Sequence, residues 1–401
     1  MNFKPTPLFR LLLIAGLCTG LMATQTQAAS VLSSGIDTSA TDPSVRIQDN
    51  LFNSVNGGWL KHTEIPADKS SYGTFIQLRD QSDLRVKTLL DELAANASTN
   101  GTPQDLSRKV SQFYTSYLDT AKMDSLGAAP IAPLLAEIQA IQTPSDLARF
   151  LGRSQGLLIN TPVGVGVDAD PKHPLSNLTQ TWQGGLGLPD RDYYLNTSNE
   201  RFAKARAAYE TYLTQLVEWA HLAQGQTAQQ AAQRVMALEH QLAQVHWDKV
   251  DNRDPVKTYN PMTVKGLQEL APEFNWSIFL DAASLKGVET LSVSQPSEVV
   301  GAAKLLAEVP MADWRLYLQL HAIDGLADVL PKTVRDAHFA FHGTALSGAK
   351  EERPRWQKAT AALNGALGEA VGQLYVARYF PPESKARMEQ LVANLMAAYK
   401  E

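Results

Sequence analysis

Over most of this chain apolar side chains recur every three to four residues, with charged and polar residues between them. That is the period of helices that bury one face. Phe75 to Asn96 carries Phe75, Leu78, Leu84, Val86, Leu89, Leu90 and Leu93 in this way. Leu106 to Met123 repeats the pattern with Val110, Phe113, Tyr114 and Tyr117. Residues 130–141 and 145–155 predict two shorter helices, the second with Ser145 as a candidate N-cap. Longer ones are expected over Phe202–Leu222, Thr227–Trp247, Pro310–Leu330, Arg355–Tyr379 and Pro382–Lys400. Pro310 and Pro382 suit a first helical turn, where a missing N–H costs little. One stretch breaks the period. Leu157–Asp168 contains Val163-Gly164-Val165-Gly166-Val167, which alternates like a strand, and Leu175–Trp182 is its candidate partner. The expected fold class is therefore mainly α: a large helical domain with a small β-hairpin insertion.

The N-terminus follows another pattern. Lys4 and Arg10 precede an apolar run, Leu11–Ala23, and a small-residue exit at Thr26-Gln27-Ala28-Ala29. A positive start, a short apolar core and small residues at the exit read as a secretory signal peptide over residues 1–28. The run is shorter than the roughly 20 residues of a membrane-spanning helix. Residues 29–48 are rich in Ser, Thr and Asp and read as a flexible lead-in, with order expected from about Leu51 and one domain over 49–401. The expected location is thus outside the cytoplasm, periplasmic or extracellular, with no membrane attachment after cleavage.

Charge and cysteine content narrow the chemistry. The chain of 401 residues has a formal net charge of −5, and its single cysteine, Cys18, lies in the leader. Removing residues 1–28 takes two positive charges and leaves −7, a balance that argues against nucleic acid as a partner. A cysteine-free exported chain is held by its core, and this one is long enough to bury a large one. No phosphate loop or dinucleotide fingerprint is present.

A hydrolytic zinc helix needs His-Glu-x-x-His, in which two imidazoles share a helical face and the Glu activates water. No stretch here has that form. His338 and His342 have the spacing, but Phe339 stands where the Glu must be, so the pair reads as structural, with an adventitious metal site as the alternative. Glu239-His240 with His246 places its two rings on different helix faces. Asp190 and Asp192 read as parts of a turn around Pro189. The residues alone thus identify no catalytic group and no metal ligand.

Several segments are too particular for generic helix. They are Phe52-Asn53-Ser54-Val55-Asn56-Gly57-Gly58-Trp59-Leu60, Thr63-Glu64-Ile65-Pro66-Ala67-Asp68, Ser71-Tyr72-Gly73-Thr74-Phe75 and Leu78-Arg79-Asp80. Further along stand Gly187-Leu188-Pro189-Asp190-Arg191-Asp192-Tyr193-Tyr194, Asn252-Arg253-Asp254-Pro255 with Tyr259-Asn260, and Leu367-Gly368-Glu369-Ala370 through Gly372-Gln373-Leu374-Tyr375-Val376. In this order they resemble the N-terminal region of the neprilysin and endothelin-converting-enzyme family of zinc metalloendopeptidases, especially its bacterial oligopeptidases. The resemblance implies a helical domain facing a thermolysin-like catalytic domain across a chamber that admits oligopeptide substrates. It also implies that this sequence stops before the zinc motif, that the catalytic domain is mostly absent from it, and that no zinc is bound to this chain. Two substrate-binding residues are implied: Phe75, matching a pocket-lining Phe, and Arg79, matching an Arg of the next subsite. Ser71 departs from the mammalian pattern, which has a second substrate-gripping Arg there. The residue-level alternatives are helix packing for Phe75 and a surface ion pair with Asp80 or Asp83 for Arg79. The alternative function is a stand-alone, non-catalytic peptide- or protein-binding module.

Overall fold

The computed structural model describes residues 38–96 and 105–400. The expected signal peptide, residues 1–28, and the lead-in through residue 37 lie outside the described residues. Two compact units divide the chain at Glu64 and Ile65.

In the first unit, a short 3-10 turn at Thr38–Ala40 precedes a helix over Leu51–His62. The Asn50 side chain caps that helix by accepting from the Asn53 N–H at 2.9 Å. Asp42 is buried, accepts from the Ser44 hydroxyl at 2.6 Å and pairs with Lys61 at 2.7 Å. Defined turns thus begin upstream of Leu51, within the segment that composition marked as a flexible lead-in. Composition reports average polarity, whereas one buried Asp with local donors is enough to order a turn.

The second unit is built mainly from helices over Thr74–Ala95, Leu106–Leu118, Pro144–Arg153, Glu200–Trp219, Ala228–Val245, Pro296–Glu308, Met311–Gly325, Arg355–Tyr379 and Pro382–Ala398, with shorter ones between. Capping chemistry sets several starts. Thr143, not Ser145, begins its helix, in a capping box with Asp146 that leaves Pro144 at the first position. Thr227 and Gln230 form a second box. Pro382 occupies a first-turn position, while Pro310 sits just before its helix. That helix ends at Gly325, short of Leu330. The helix over Arg355–Tyr379 kinks at Leu367.

The expected hairpin forms: β1 (Val163–Ala169) pairs antiparallel with β2 (Asn177–Gln183). The glycines of the Val-Gly alternation make room for an aromatic ring. Gly164 faces Trp182 across the ladder, and a Cβ on Gly164 would fall 2.1 Å from the Trp182 indole nitrogen. The insertion is larger than a hairpin, however. β4 (Thr290–Val293) adds parallel to β2, and β3 (Pro261–Thr263) adds antiparallel to β4, giving the order β1-β2-β4-β3. β3 and β4 are too short to show an alternating pattern.

The main core gathers the sheet and the helices from residue 131 to 341 around Trp276, Trp314, Tyr212, Tyr317 and Phe279. A second cluster joins the helices over Thr74–Ala95, Leu106–Leu118 and Arg355–Tyr379 through Leu90, Val110, Tyr114 and Leu363. Arg355 connects the two regions: its guanidinium stacks 4.0 Å from the Tyr117 ring centre and donates to the Tyr117 and Asp328 carbonyls at 3.0 and 2.8 Å.

Glu298, in the first turn of the Pro296–Glu308 helix, is fully buried, and neither carboxyl oxygen has a hydrogen-bond partner. Burial pushes its pKa from 4.5 to about 8. The folded protein therefore holds a proton that the unfolded chain has released. Stability from this group is full below pH 4.5 and is lost as pH rises toward 8. Glu298→Gln is expected to remove this slope, gaining about 3 kcal/mol on the wild type between about pH 5 and pH 8, read by urea unfolding. Equal pH slopes for the two proteins would contradict the assignment.

Candidate functional site

A buried carboxylate organises the centre of the helical unit. Glu239, on the Ala228–Val245 helix, is fully buried and accepts from the Tyr194 hydroxyl at 2.5 Å, the Tyr209 hydroxyl at 2.8 Å and His321 Nε2 at 2.8 Å. Burial first, and then the Glu239 charge, raises the hydroxyl pKa values of Tyr194 and Tyr209 well above 10, so both remain donors. The Gly187–Tyr194 segment docks here, and its polar residues build the turn. Tyr194 also accepts from the Leu188 N–H at 3.0 Å, Asp190 accepts from the Asp192 N–H at 2.8 Å, and Arg191 donates to the His246 carbonyl. Gly187 is required by close approach: a Cβ there would fall 1.8 Å from the Tyr209 hydroxyl. His246 points elsewhere, bonding the Gly184 carbonyl at 3.0 Å, and burial lowers its pKa to about 4. His240 lies on the exposed face beside Gln244. The Glu239, His240 and His246 group is thus a packing device.

The segments around Asn252–Pro255 and Tyr259-Asn260 are also joints. Tyr259 donates to Asp170, next to β1, at 3.0 Å. The Asn260 amide donates to the Val293 carbonyl at 2.9 Å, Gln295 donates to Asn252 at 3.0 Å, and Asp254 accepts from the Val256 and Lys257 N–H groups.

A solvent-connected cavity of about 450 Å³ opens between residues 68–79, the helix end around His338–Ser347 and the segment from Glu351 to Lys358. The Ala67 carbonyl accepts from the Lys350 and Glu351 N–H groups at 2.9 and 3.1 Å, which holds the two rims together. Arg79 and Ser71 both line the cavity. Lys69 pairs with Asp68 at 3.1 Å and with Asp80 at 3.3 Å, so Asp80 is engaged by a residue other than Arg79. Burial raises the Asp83 pKa and the Arg79 charge pulls it back. Phe75 lies in the first turn of the Thr74–Ala95 helix and is 89% exposed, so it is not packed against the core of the described residues.

At the back of the same cavity stand His338 and His342, brought onto one side of a continuous helix that widens to a π-helical stretch over Phe339–Leu346. Their ring centres are 4.3 Å apart. Both face Asp324: its Oδ1 lies 2.8 Å from His342 Nε2 and 3.8 Å from His338 Nε2, and it also accepts from the Tyr212 hydroxyl at 2.7 Å. Burial opposes ionisation of Asp324, but the His342 and Tyr212 hydrogen bonds outweigh it and hold the carboxyl at about 2. Burial and then the neighbouring His342 charge lower the pKa of His338. The histidine spacing was legible in the sequence. Asp324 was not, because it lies on a different helix and only the packing of Met311–Gly325 delivers it.

Over residues 47–401 the chain matches the N-terminal family model of peptidase family M13. The chain belongs to peptidase family M13. It is 27% identical to human endothelin-converting enzyme 1 over 412 residues, covering 97% of this chain and 52% of that protein. It is 28% identical to Neprilysin-3 of Drosophila melanogaster, covering 88% of this chain and 46% of that protein. Among solved structures, it superposes on the Mycobacterium tuberculosis zinc metalloprotease Zmp1 in complex with an inhibitor with a TM-score of 0.83 at 33% identity, covering 92% of this chain and 55% of that one. PepO of Lactobacillus rhamnosis shares the fold, with a TM-score of 0.73 at 20% identity. The chain spans about half the length of the curated relatives it matches. No helix of the described residues is long and apolar enough to cross a membrane. The M13 resemblance implies a zinc peptidase centre built on a His-Glu-x-x-His motif, which this sequence lacks; His338 and His342 share only its spacing, with Phe339 in place of a Glu. The residues present do not fit that centre.

Glu239→Leu leaves three buried donors without an acceptor and is expected to destabilise the protein by about 3–5 kcal/mol, read by urea unfolding. Tyr194→Phe removes one donor and is expected to cost only about 1 kcal/mol. Equal losses would mean that Glu239 is not the hub.

Proposed function

We propose that this chain supplies the helical part of an exported zinc metalloendopeptidase that cuts short peptides, forming one wall of the substrate chamber. The observation that carries this reading is the Pro382–Ala398 helix, which has no buried residue. Met388, Leu391, Val392, Leu395, Met396 and Tyr399 recur at helical spacing and are each at least 47% exposed. A stripe of this kind fits a face that packs against further polypeptide. A self-sufficient binding module has no use for it, which makes the stand-alone reading the second choice.

On this reading the cavity rim meets the substrate. Arg79 offers a guanidinium fork to a peptide carbonyl or carboxylate, and Phe75 offers an apolar side chain beside it. Lys69 and Lys358 are paired with carboxylates at the same cavity, which leaves Arg79 and Arg353 as the guanidinium donors for peptide. Phe339, not a Glu, directly follows His338, and on this reading the 401-residue polypeptide binds and shapes substrate without hydrolysing it.

Two outcomes are expected. The purified polypeptide, incubated with short fluorogenic peptides, releases no product, with or without added zinc; chelator-sensitive cleavage by it alone would overturn the assignment. It also binds a hydrophobic dye through the exposed stripe, and Leu391→Lys combined with Leu395→Lys abolishes the dye signal while leaving the circular dichroism spectrum unchanged. A wild-type protein that binds no dye and melts in one cooperative transition would favour the independent module instead.

A further inference from the structure

The cluster at the back of the cavity has the composition and spacing of a metal site. We propose that Asp324, His338 and His342 bind a divalent first-row transition-metal ion such as zinc, with an open coordination position facing the cavity. The proposal revises the expectation that the chain holds no metal. It does not rest on the peptidase reading, because metal uptake is measured on this polypeptide by itself.

The geometry carries it. The three ligand atoms lie within 4.8 Å of one another. A tetrahedral ion with bonds of about 2.0–2.2 Å sets its ligands roughly 3.4 Å apart. Asp324 Oδ1 sits 2.8 Å from one imidazole nitrogen and 3.8 Å from the other, on either side of that spacing. Both imidazoles present Nε2 to the same carboxylate oxygen, and to ligate an ion each must carry its proton on Nδ1, leaving the Nε2 lone pair free. Small adjustments, not a rearrangement, would admit the ion.

The surroundings hold the ligands in place. The Tyr212 hydroxyl donates to the ligating oxygen of Asp324 at 2.7 Å, the kind of supporting hydrogen bond that orients a metal-bound carboxylate. The Tyr212 ring meets His342 edge-on at 5.7 Å and His338 at 6.2 Å, and Phe341 between them is buried against Tyr209 and Tyr212. All three ligands are partly accessible, and both histidines line the cavity, which gives an entry path and room for a water or an incoming donor at the fourth position. Two imidazoles and one carboxylate favour zinc, cobalt, nickel or iron(II) over calcium or magnesium, which prefer all-oxygen sites.

The test is titration of the purified, metal-stripped polypeptide with zinc chloride by calorimetry, and with cobalt(II) chloride followed by visible absorption. The expected result is about one equivalent of metal per chain, a cobalt spectrum of low coordination number, and a rise in Tm on adding zinc. His338→Ala, His342→Ala and Asp324→Asn should each abolish the cobalt spectrum and the Tm rise. Tyr212→Phe should keep the stoichiometry and weaken affinity about 10-fold. His240→Ala, on the exposed face of another helix, should change nothing. Circular dichroism of each metal-free variant confirms its fold, and Asp324→Asn, close to isosteric, remains informative if a histidine variant unfolds. The proposal is overturned if the wild type takes up no zinc or cobalt, or if uptake persists undiminished when His338 and His342 are both replaced.

Discussion

The arrangement of the helical unit depends on one buried carboxylate. Glu239 has no access to water, and its three donors come from three other segments: Tyr194 from the turn after β2, Tyr209 from the Glu200–Trp219 helix and His321 from the Met311–Gly325 helix. A buried acceptor of this kind is costly unless every donor is present. The four segments therefore adopt one relative position, or the carboxylate is left partly unsatisfied. Apolar packing alone tolerates sliding and rotation, whereas hydrogen-bond geometry does not.

That constraint reaches the cavity through two short connections. Tyr209 packs 5.0 Å from Phe341, which stacks 5.2 Å from Tyr212, and Phe341 lies between the two histidines in the chain. His321 and Asp324 share one helix, one turn apart, so the residue that bonds Glu239 also sets where Asp324 points. Tyr212 then closes the path by bonding Asp324. The centre of the core and the polar wall of the cavity are thus one continuous assembly of rings and hydrogen bonds. The opposite rim is made differently, from the loop before the Thr74–Ala95 helix and the irregular segment after Gly348, joined by backbone bonds to Ala67. Arg79 lines the cavity from this second rim, and Phe75, one turn earlier on the same helix, is exposed.

The family relationship fits this division of labour. Segments that mark the chain as M13, such as Gly187–Tyr194 and Asn252–Asn260, are joints of the fold with no visible reactive group. Gly187 leaves room for Tyr209, Tyr194 reaches Glu239, and Tyr259 ties a loop to Asp170. Residues that hold distant parts of a fold together leave a strong sequence pattern without any chemistry at the site, and for that reason the family was legible where a mechanism was not.

The amino-acid sequence by itself determined most of the longer helices, the one hairpin and the family. Each depends on relations between residues close in the chain: the three-to-four-residue period, the Val-Gly alternation, the capping residues and the ordered motifs. It also contained the i, i+4 spacing of His338 and His342 and the absence of a Glu beside them. What it did not contain was which distant residues meet. β4 reaches β2 across more than a hundred residues and is only four residues long, too short for a periodic signal. Asp324 joins the histidines, Tyr194 joins Glu239, and Phe75 stays in solvent because whole helices pack at particular angles and depths. These pairings are side-chain convergences between remote segments, and no local pattern encodes them. The tertiary structure alone decided that two histidines without a catalytic Glu share a carboxylate at the back of an open cavity.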